Sequence, residues 1–451
     1  MHTLPHGGLA LSSLDEQLLL PGTKGLPLRA PLRQGAIGVQ GWNVLRGDTS
    51  YPVAVLRESS LRHNLAWMRA FCERHGATLA PHGKTTMSPQ LFGAQLANGA
   101  WGITLATAIQ VQVAHRFGVR RVLLANQLVA RSDIDAVLAL LHGDPDFECI
   151  VLADSSAGVA RLAQAAAAHR LARPLPVLVE LGLAGKRAGC RTPQEAMEVA
   201  RAIALADGLA LAGFEGYEGL LVSDDRAADL RQIDDFLAQL VALVRGADAE
   251  GLFATSEIVV SAGGSSYFDL VARGFQDVDG LSRPLRAILR SGCYLTSDHG
   301  MYRRHIDELN ARESGHQEDR EQGREAGLRP ALEVWSMVQS RPEPTLAILT
   351  MGKRDASYDA DLPIPLYTAR PDGAAVPAMP ATLPPGCTIF KMNDQHAYLR
   401  LPEGDPLCDS LAVGDLVGCG ISHPCTTFDK WPLLLAVDDA YTVRYALNTY
   451  F

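Results

Sequence analysis

Thr78-Leu79-Ala80-Pro81-His82-Gly83-Lys84-Thr85-Thr86-Met87-Ser88-Pro89 is the stretch around which the rest of the chain can be read. Its first residues form a short apolar run with strand character. Its last two open a helix, because Ser88 suits an N-cap and Pro89 is tolerated in a first turn that has no use for its missing N–H. Lys84 therefore sits where a buried strand turns into a helix. An apolar wall behind a lysine disfavours its charged form. Such an amine is a candidate Schiff-base former. An isolated lysine at a strand end more often just reaches solvent, so its surroundings decide.

Outward from this stretch, strand and helix signals alternate. Apolar runs recur at 78–80, 102–105, 121–124, 149–152, 176–179, 209–212, 257–260 and 286–289. Between them lie stretches rich in alanine and leucine, such as 156–169 and 193–206. Eight strands with intervening helices match an α/β fold closed as a parallel (β/α)8 TIM barrel, whose typical length is about 250 residues. An open doubly wound sheet is the alternative, but no GxGxxG fingerprint follows the first strand. Upstream, Val53-Ala54-Val55-Leu56 reads as a further strand. Ser59 or Ser60 then caps a helix that runs to His75 and stops at Gly76. Downstream, 303–329 is dense in mixed charge and reads as a solvated loop or linker. Strand-like runs follow at 333–338, 345–349, 387–392, 397–401, 415–419 and 433–437, separated by proline-rich turns. These predict a C-terminal all-β domain. The expected organisation is an N-terminal segment 1–45 packing on the β domain, a barrel over 46–300, a charged loop over 301–330 and the β domain over 331–451.

The 451 residues are too many for one ordinary core, which agrees with a large and a smaller domain. Lys and Arg number 41 against 50 Asp and Glu, a net charge of −9 with no basic run, so nucleic acid and anionic membranes are poor partners. No positive n-region precedes an apolar stretch, and no segment is apolar for long enough to span a bilayer. The eight cysteines are scattered without a CxxC pair, which points to a reducing cytoplasm.

A barrel places its active site at the C-terminal ends of its strands, with phosphate at the loops after the last two. Those ends carry His82 and Lys84 (strand one), Asn126 and Gln127 (three), Arg187 (five) and Tyr217 (six). Strand seven is followed by Gly263-Gly264-Ser265, and strand eight by Gly292-Cys293-Tyr294. Both last loops are glycine-rich where a phosphate cradle is expected. Glycines let backbone N–H groups approach an anion, while hydroxyls add donors.

The run LAPHGKTTMSP, 79–89, resembles the pyridoxal-phosphate lysine motif of the fold-type III enzymes, in the branch of D-serine dehydratases and D-threonine aldolases that includes the bacterial amino-acid deaminase and D-serine deaminase-like group. The resemblance covers about 51–294 and 418–431. It implies an alanine-racemase-like barrel in which Lys84 binds pyridoxal 5′-phosphate, with His82 beside it and the two glycine loops as its cradle. The segment 180–189 resembles the one that brings an arginine, here Arg187, to the pyridine nitrogen. An always-protonated arginine leaves that nitrogen unprotonated and the electron sink weak. Tyr217 resembles the family tyrosine near cofactor or substrate and is a second catalytic candidate.

A second cluster, His423-Pro424-Cys425, would converge on one face if it lay on a strand. Imidazole and thiolate suit zinc, with manganese as the alternative, and two protein ligands leave positions open for substrate. Its place near the C-terminus resembles the metal pair of the D-serine dehydratase-like domain. The aldolase branch usually shows His-x-Asp there, so Cys425 favours the dehydratase side. His396 is a further candidate, although Gln395 stands where relatives carry Glu. The resemblance thus implies a metal-assisted dehydratase (ammonia-lyase) that converts a D-3-hydroxy amino acid to a 2-oxo acid and ammonia. The alternative is D-threonine aldolase-type cleavage to glycine and an aldehyde. A homodimer is implied, as in relatives of this fold. A racemase would leave the metal pair without a role, and the single-barrel carriers of this fold type lack a β domain.

Overall fold

The computed structural model describes residues 4–223, 225–264, 266–313, 327–371 and 379–451. Its larger sheet holds eight parallel strands in chain order: Thr78–Leu79, Ile103–Leu105, Arg121–Gln127, Glu148–Ala153, Leu175–Leu181, Leu209–Gly216, Ile258–Ala262 and Leu285–Leu289. From the second onward each pairs with the next, and the eighth pairs with the first through Ile288–Thr78 and Leu289–Leu79. The seam between the first two is drawn together by a single bridge, His82–Thr104, with Thr104 N donating to Pro81 O at 2.9 Å and Trp101 N to Leu79 O at 2.8 Å. The expected barrel is therefore present, with its weakest seam beside Lys84.

The apolar runs form strands because both of their faces are covered. Ala80, Leu123, Ile150, Leu152, Leu178, Ala212, Val259 and Ile288 fill the barrel interior as one cluster. Their neighbours Val122, Leu124, Val151, Val177, Val179, Leu211 and Val260 pack outward under the helices. The helices start where local chemistry allows: Ser155 and Thr192 accept from Gly158 N and Glu195 N at the heads of Ser156–His169 and Pro193–Leu205. The helix Glu58–His75 ends at Gly76 in a left-handed conformation, φ 61°. Its N-cap is Arg57, not Ser59 or Ser60; the Ser59 hydroxyl bonds Asp439 instead.

The strand Val53–Arg57 leaves the barrel's sequence range and joins the second sheet. There it pairs antiparallel with Leu332–Glu343 and parallel with Leu433–Val437. The remaining strands of this domain are Leu346–Leu349, Ile364–Ala369, Ala381–Thr382, Thr388–Met392, Ala397–Arg400, Leu416–Gly420 and Val443–Asn448. Ile364–Ala369 escapes the sequence pattern because Pro365 interrupts it, at the point where its register against Leu416–Gly420 shifts. The N-terminal segment lies on this sheet: Val44 N donates to Tyr441 O at 3.0 Å, and Leu19, Leu26, Ile37 and Leu45 share a core with Trp335 and Tyr441. Further up the chain, Ala10 N bonds Phe117 O on the barrel side.

The charged stretch is not all loop. Met301–Glu313 is a helix, begun by Asp298 Oδ1, which accepts from Gly300 N and Tyr302 N at 2.9 and 2.8 Å. Tyr302, Ile306 and Leu309 are buried at helical spacing, and Arg312 pairs with Asp269 at 2.8 Å. Three apolar residues suffice to bury one face among many charges. Residues 314–326 lie outside the described residues.

Candidate active site

Lys84 lies in the 3-10 turn Gly83–Thr85 at the exit of the first barrel strand, half-buried. Burial pulls its amine below the ordinary lysine range. Arg187 and Arg290 push the same way, while the thiols of Cys425 and Cys293 act against them. These four groups come from strand-five, strand-eight and β-domain loops and converge on one amine. Beside it, burial together with Lys84 and Arg290 holds His82 well below its usual pKa, as neutral imidazole. Its Nδ1 is buried with no hydrogen-bond partner among the described residues. Gly292 lets the strand-eight loop lie against this turn, since a Cβ there would stand 2.5 Å from His82 O and 2.7 Å from Thr85 Oγ1.

Arg187 lies with its guanidinium 4.5 Å from the centre of the Tyr217 ring. Burial, with Glu218 nearby, raises the Tyr217 phenol above its ordinary value. The two predicted residues thus form one stacked pair. Gly263 and Gly264 follow the seventh strand as expected, but their amides are already engaged: they donate to the two oxygens of Glu218 at 2.9 and 3.1 Å. Ser265 lies outside the described residues. Cys293 and Tyr294 start the turn after strand eight. The Tyr294 hydroxyl is buried at 3.4 Å from Gln95 Nε2, on the helix Pro89–Ala97, so the phenol faces that helix.

Below the rim, Arg290 is 6% exposed and pairs with Glu215 at 2.5 Å; it also donates to Ser261 Oγ (3.0 Å) and Gly216 O (2.8 Å). Gln127 Nε2 donates to Glu180 Oε2 at 2.6 Å, and burial with Glu215 nearby lifts the Glu180 carboxyl to about 7. Arg290, Glu215, Glu218 and Glu180 are not among the residues that the sequence motifs single out. Their signal is a charged residue inside, or one or two steps past, an otherwise apolar strand, where burial forces a function or a partner.

His423-Pro424-Cys425 is not a strand. Cys425 opens the short helix Cys425–Phe428, so the i, i+2 argument fails. The helix nevertheless brings the thiol to the lysine turn: Cys425 Sγ donates to Thr85 Oγ1 at 3.5 Å and lies 3.6 Å from Cys293 Sγ. The Cys293 contact lowers the Cys425 thiol's pKa against the effect of burial. His423 Nδ1 is 2.6 Å from Asp359 Oδ2. His396 lies in the turn between Thr388–Met392 and Ala397–Arg400, its carbonyl accepting from Asn393 N. Among the described residues no three His, Cys, Asp or Glu side chains group as a metal site.

Two family models match in tandem: the alanine racemase N-terminal domain over residues 56–271 and the putative serine dehydratase domain over 331–437. The chain carries the two domains of a fold-type III pyridoxal-phosphate enzyme. Among curated relatives of this fold-type III chain, a 3-hydroxy-D-aspartate aldolase of Paracoccus denitrificans (strain Pd 1222) is 26% identical over 314 residues, 69% of this chain and 74% of that one. A D-threonine aldolase of Arthrobacter sp is 24% identical over 420 residues, 92% of this chain and 94% of that one. Among solved structures, the D-threonine aldolase from Filomicrobium marinum superposes with a TM-score of 0.71 at 23% identity, covering 91% of this chain and 97% of that one. The D-threo-3-hydroxyaspartate dehydratase from Delftia sp. HT23 does so at 0.68 and 22% identity, covering 89% and 97%. These likenesses establish the fold. Among the described residues no helix is long and apolar enough to cross a membrane.

Proposed function

We propose that this chain is a metal-assisted, pyridoxal-phosphate-dependent lyase of D-3-hydroxy amino acids, and that it acts as a dehydratase, releasing a 2-oxo acid and ammonia. One observation carries the reading: Lys84 of the barrel and Cys425 of the β domain face the same site, joined through Thr85.

The residues present fit the cofactor. A half-buried amine with a lowered pKa stands beside a neutral imidazole whose Nδ1 has no partner among the described residues, and glycine at 292 is required by close packing. Lys84, His82, Arg187, Tyr217 and the loop at Gly292, Cys293 and Tyr294 would hold it, with Ser265 proposed for the phosphate. Bound there, pyridoxal phosphate would supply an electrophilic carbon and a sink for charge at the substrate's α-carbon. Lys84, whose amine burial and two arginines keep from holding its proton tightly, takes the α-proton at Nζ. Arg187 supplies a fixed positive charge and a donor, and its stacking on Tyr217 keeps both side chains in one orientation.

The donor set also suits zinc, with manganese as the alternative. Metal-binding histidines commonly donate their second ring N–H to a carboxylate, and the His423–Asp359 contact at 2.6 Å leaves Nε2 for that purpose. His423 and Cys425 would hold the ion, which would supply Lewis-acid polarisation of the 3-hydroxyl. His396 is not part of the proposal. The reading extends to a homodimer in the cytoplasm, supported by the family resemblance and by eight scattered cysteines without a disulfide framework.

Aldol cleavage is the second reading, favoured by the names of the curated relatives. Products separate the two. Purified protein supplied with the cofactor and zinc is offered D- and L-serine, threonine, 3-hydroxyaspartate and bulkier 3-hydroxy amino acids. A 2-oxo acid with stoichiometric ammonia supports dehydration. Glycine with an aldehyde replaces it by aldol cleavage, and no reaction with any D-3-hydroxy amino acid refutes both.

A further inference from the structure

The loop after the seventh barrel strand is where phosphate is expected, yet its two leading amides already hold an anion from the chain itself. Gly263 N donates to Glu218 Oε2 and Gly264 N to Glu218 Oε1, at 2.9 and 3.1 Å. Glu218 is 0% exposed. Burial favours its neutral form; the two amides and the charge of Arg290 oppose that. A carboxylate bound by two successive N–H groups is fixed in position and in plane. It fastens the exit of strand seven to the exit of strand six.

Between those exits lies Tyr217. A Cβ on Gly264 would fall 2.4 Å from Tyr217 Cε2, and one on Gly219 would fall 2.5 Å from the Tyr217 hydroxyl. The ring is held between two glycines, and Arg187 lies over its face. Loops from strands five, six and seven therefore form one unit, and Glu218 is the residue whose bonds tie it together.

We propose that Glu218 is the positioning residue for the cofactor's phosphate. Its carboxylate remains on the Gly263 and Gly264 amides and sets the glycine turn against the loop at Gly292, so that the strand-eight loop would be placed to hold the phosphate. This rests on the cofactor assignment above. The contrary arrangement, in which Glu218 is a stand-in that phosphate expels, predicts the opposite sign.

The test compares pyridoxal phosphate with pyridoxal, which lacks the phosphate. Protein stripped of cofactor is titrated with each, and binding is followed by the visible absorption of the lysine-bound aldehyde. The dissociation constant of pyridoxal divided by that of pyridoxal phosphate measures what the phosphate contributes. Glu218→Gln keeps size but places an NH2 against one amide donor. It should weaken pyridoxal phosphate about tenfold or more, the scale of one lost charge-assisted hydrogen bond, and leave pyridoxal within about twofold. Glu218→Asp keeps two acceptor oxygens and should fall between Gln and the parent. Melting temperatures establish that each variant is folded. A ratio that rises in Glu218→Gln overturns the proposal, because the carboxylate would then compete with phosphate. Equal losses for both ligands, or none, overturn it too, since the residue would then only pack. A parent protein that develops no visible absorption with pyridoxal phosphate refutes the cofactor assignment itself and takes this proposal with it.

Discussion

Replacing Arg290 with methionine removes the cation that pairs directly with Glu215 inside the barrel mouth and leaves it only the more distant charge of Arg187. The ion pair is 2.5 Å long, and its partners are 6% and 2% exposed, so water cannot take over. The change also strips a donor from Gly216 O at 2.8 Å and from Ser261 Oγ at 3.0 Å. Breaking a buried pair from one side costs about 3–5 kcal/mol, against about 1 kcal/mol or less for an exposed pair. That is a large part of the roughly 5–15 kcal/mol that keeps a domain folded. Urea unfolding of the parent, Arg290→Met, Glu215→Gln and the double variant reads the cost. The double variant should recover at least about 1.5 kcal/mol of the single loss, because the uncompensated charge is gone. The pH dependence has a fixed sign. Burial raises Glu215 above its ordinary value even against the pull of Arg290, and losing Arg290 raises it further. A carboxyl whose folded pKa is raised gives full stability below its unfolded pKa and loses it as pH climbs through the folded one. Arg290→Met should therefore lose ground on the parent as pH rises from acid toward neutral. A loss below about 1 kcal/mol with no coupling to Glu215 would refute the reasoning.

Four further outcomes follow from the same geometry. Lys84→Ala should abolish the visible absorption that pyridoxal phosphate develops with the parent protein; an unchanged spectrum would remove Lys84 from its assigned place. In cofactor-free protein, Arg187→Met should move the pH at which Lys84 reacts with an amine-directed reagent upward, because Arg187 helps to hold that amine below the ordinary lysine range; a downward or absent shift would separate Arg187 from the site. Chelation should stop turnover while leaving the chromophore, and Asp359→Asn should weaken zinc by about 10–100-fold by freeing His423 to turn; zinc content equal to the parent's would leave Asp359 without that role.

The barrel was legible because most of its strands, such as Glu148–Ala153, Leu175–Leu181 and Leu209–Gly216, are apolar runs buried on both faces, so composition alone marks them. Lys84 was legible because a charge at the end of such a run stands out. What escaped has a common cause: it depends on pairing across the chain. Val53–Arg57 is visibly a strand, but nothing local says that its neighbours are Leu332–Glu343 and Leu433–Val437 instead of a barrel strand. Cys425 was expected on a strand and lies at the start of a helical turn, yet it still reaches the lysine turn, because Phe428 and Trp431 just after it are buried and seat the segment. The Gly263–Gly264 loop looked like an unoccupied anion site, and only the structure reveals Glu218 in it.

The two domains meet where the chemistry is proposed, and polar side chains fix that meeting. Asn64, 0% exposed on the helix Glu58–His75, donates to Leu295 O at 2.9 Å and to Arg329 O at 2.7 Å, and accepts from Arg329 N at 2.7 Å. One side chain thus ties the strand-eight loop to the segment that enters the β domain. Nearby, the His299 N–H bonds Ile421 O at 2.9 Å, and its ring lies so close to Gly420 that a Cβ there would stand 2.3 Å from it. Leu295 and His299 follow Cys293 closely in sequence, and Gly420 and Ile421 closely precede Cys425. A site assembled from two domains works only if their offset is held to a fraction of an ångström, and apolar surfaces alone can slide. Hydrogen bonds to buried backbone groups cannot, because each one broken leaves an unsatisfied polar atom costing about 1–3 kcal/mol. Asn64 therefore helps to hold the domain offset on which the arrangement of Lys84 and Cys425 depends.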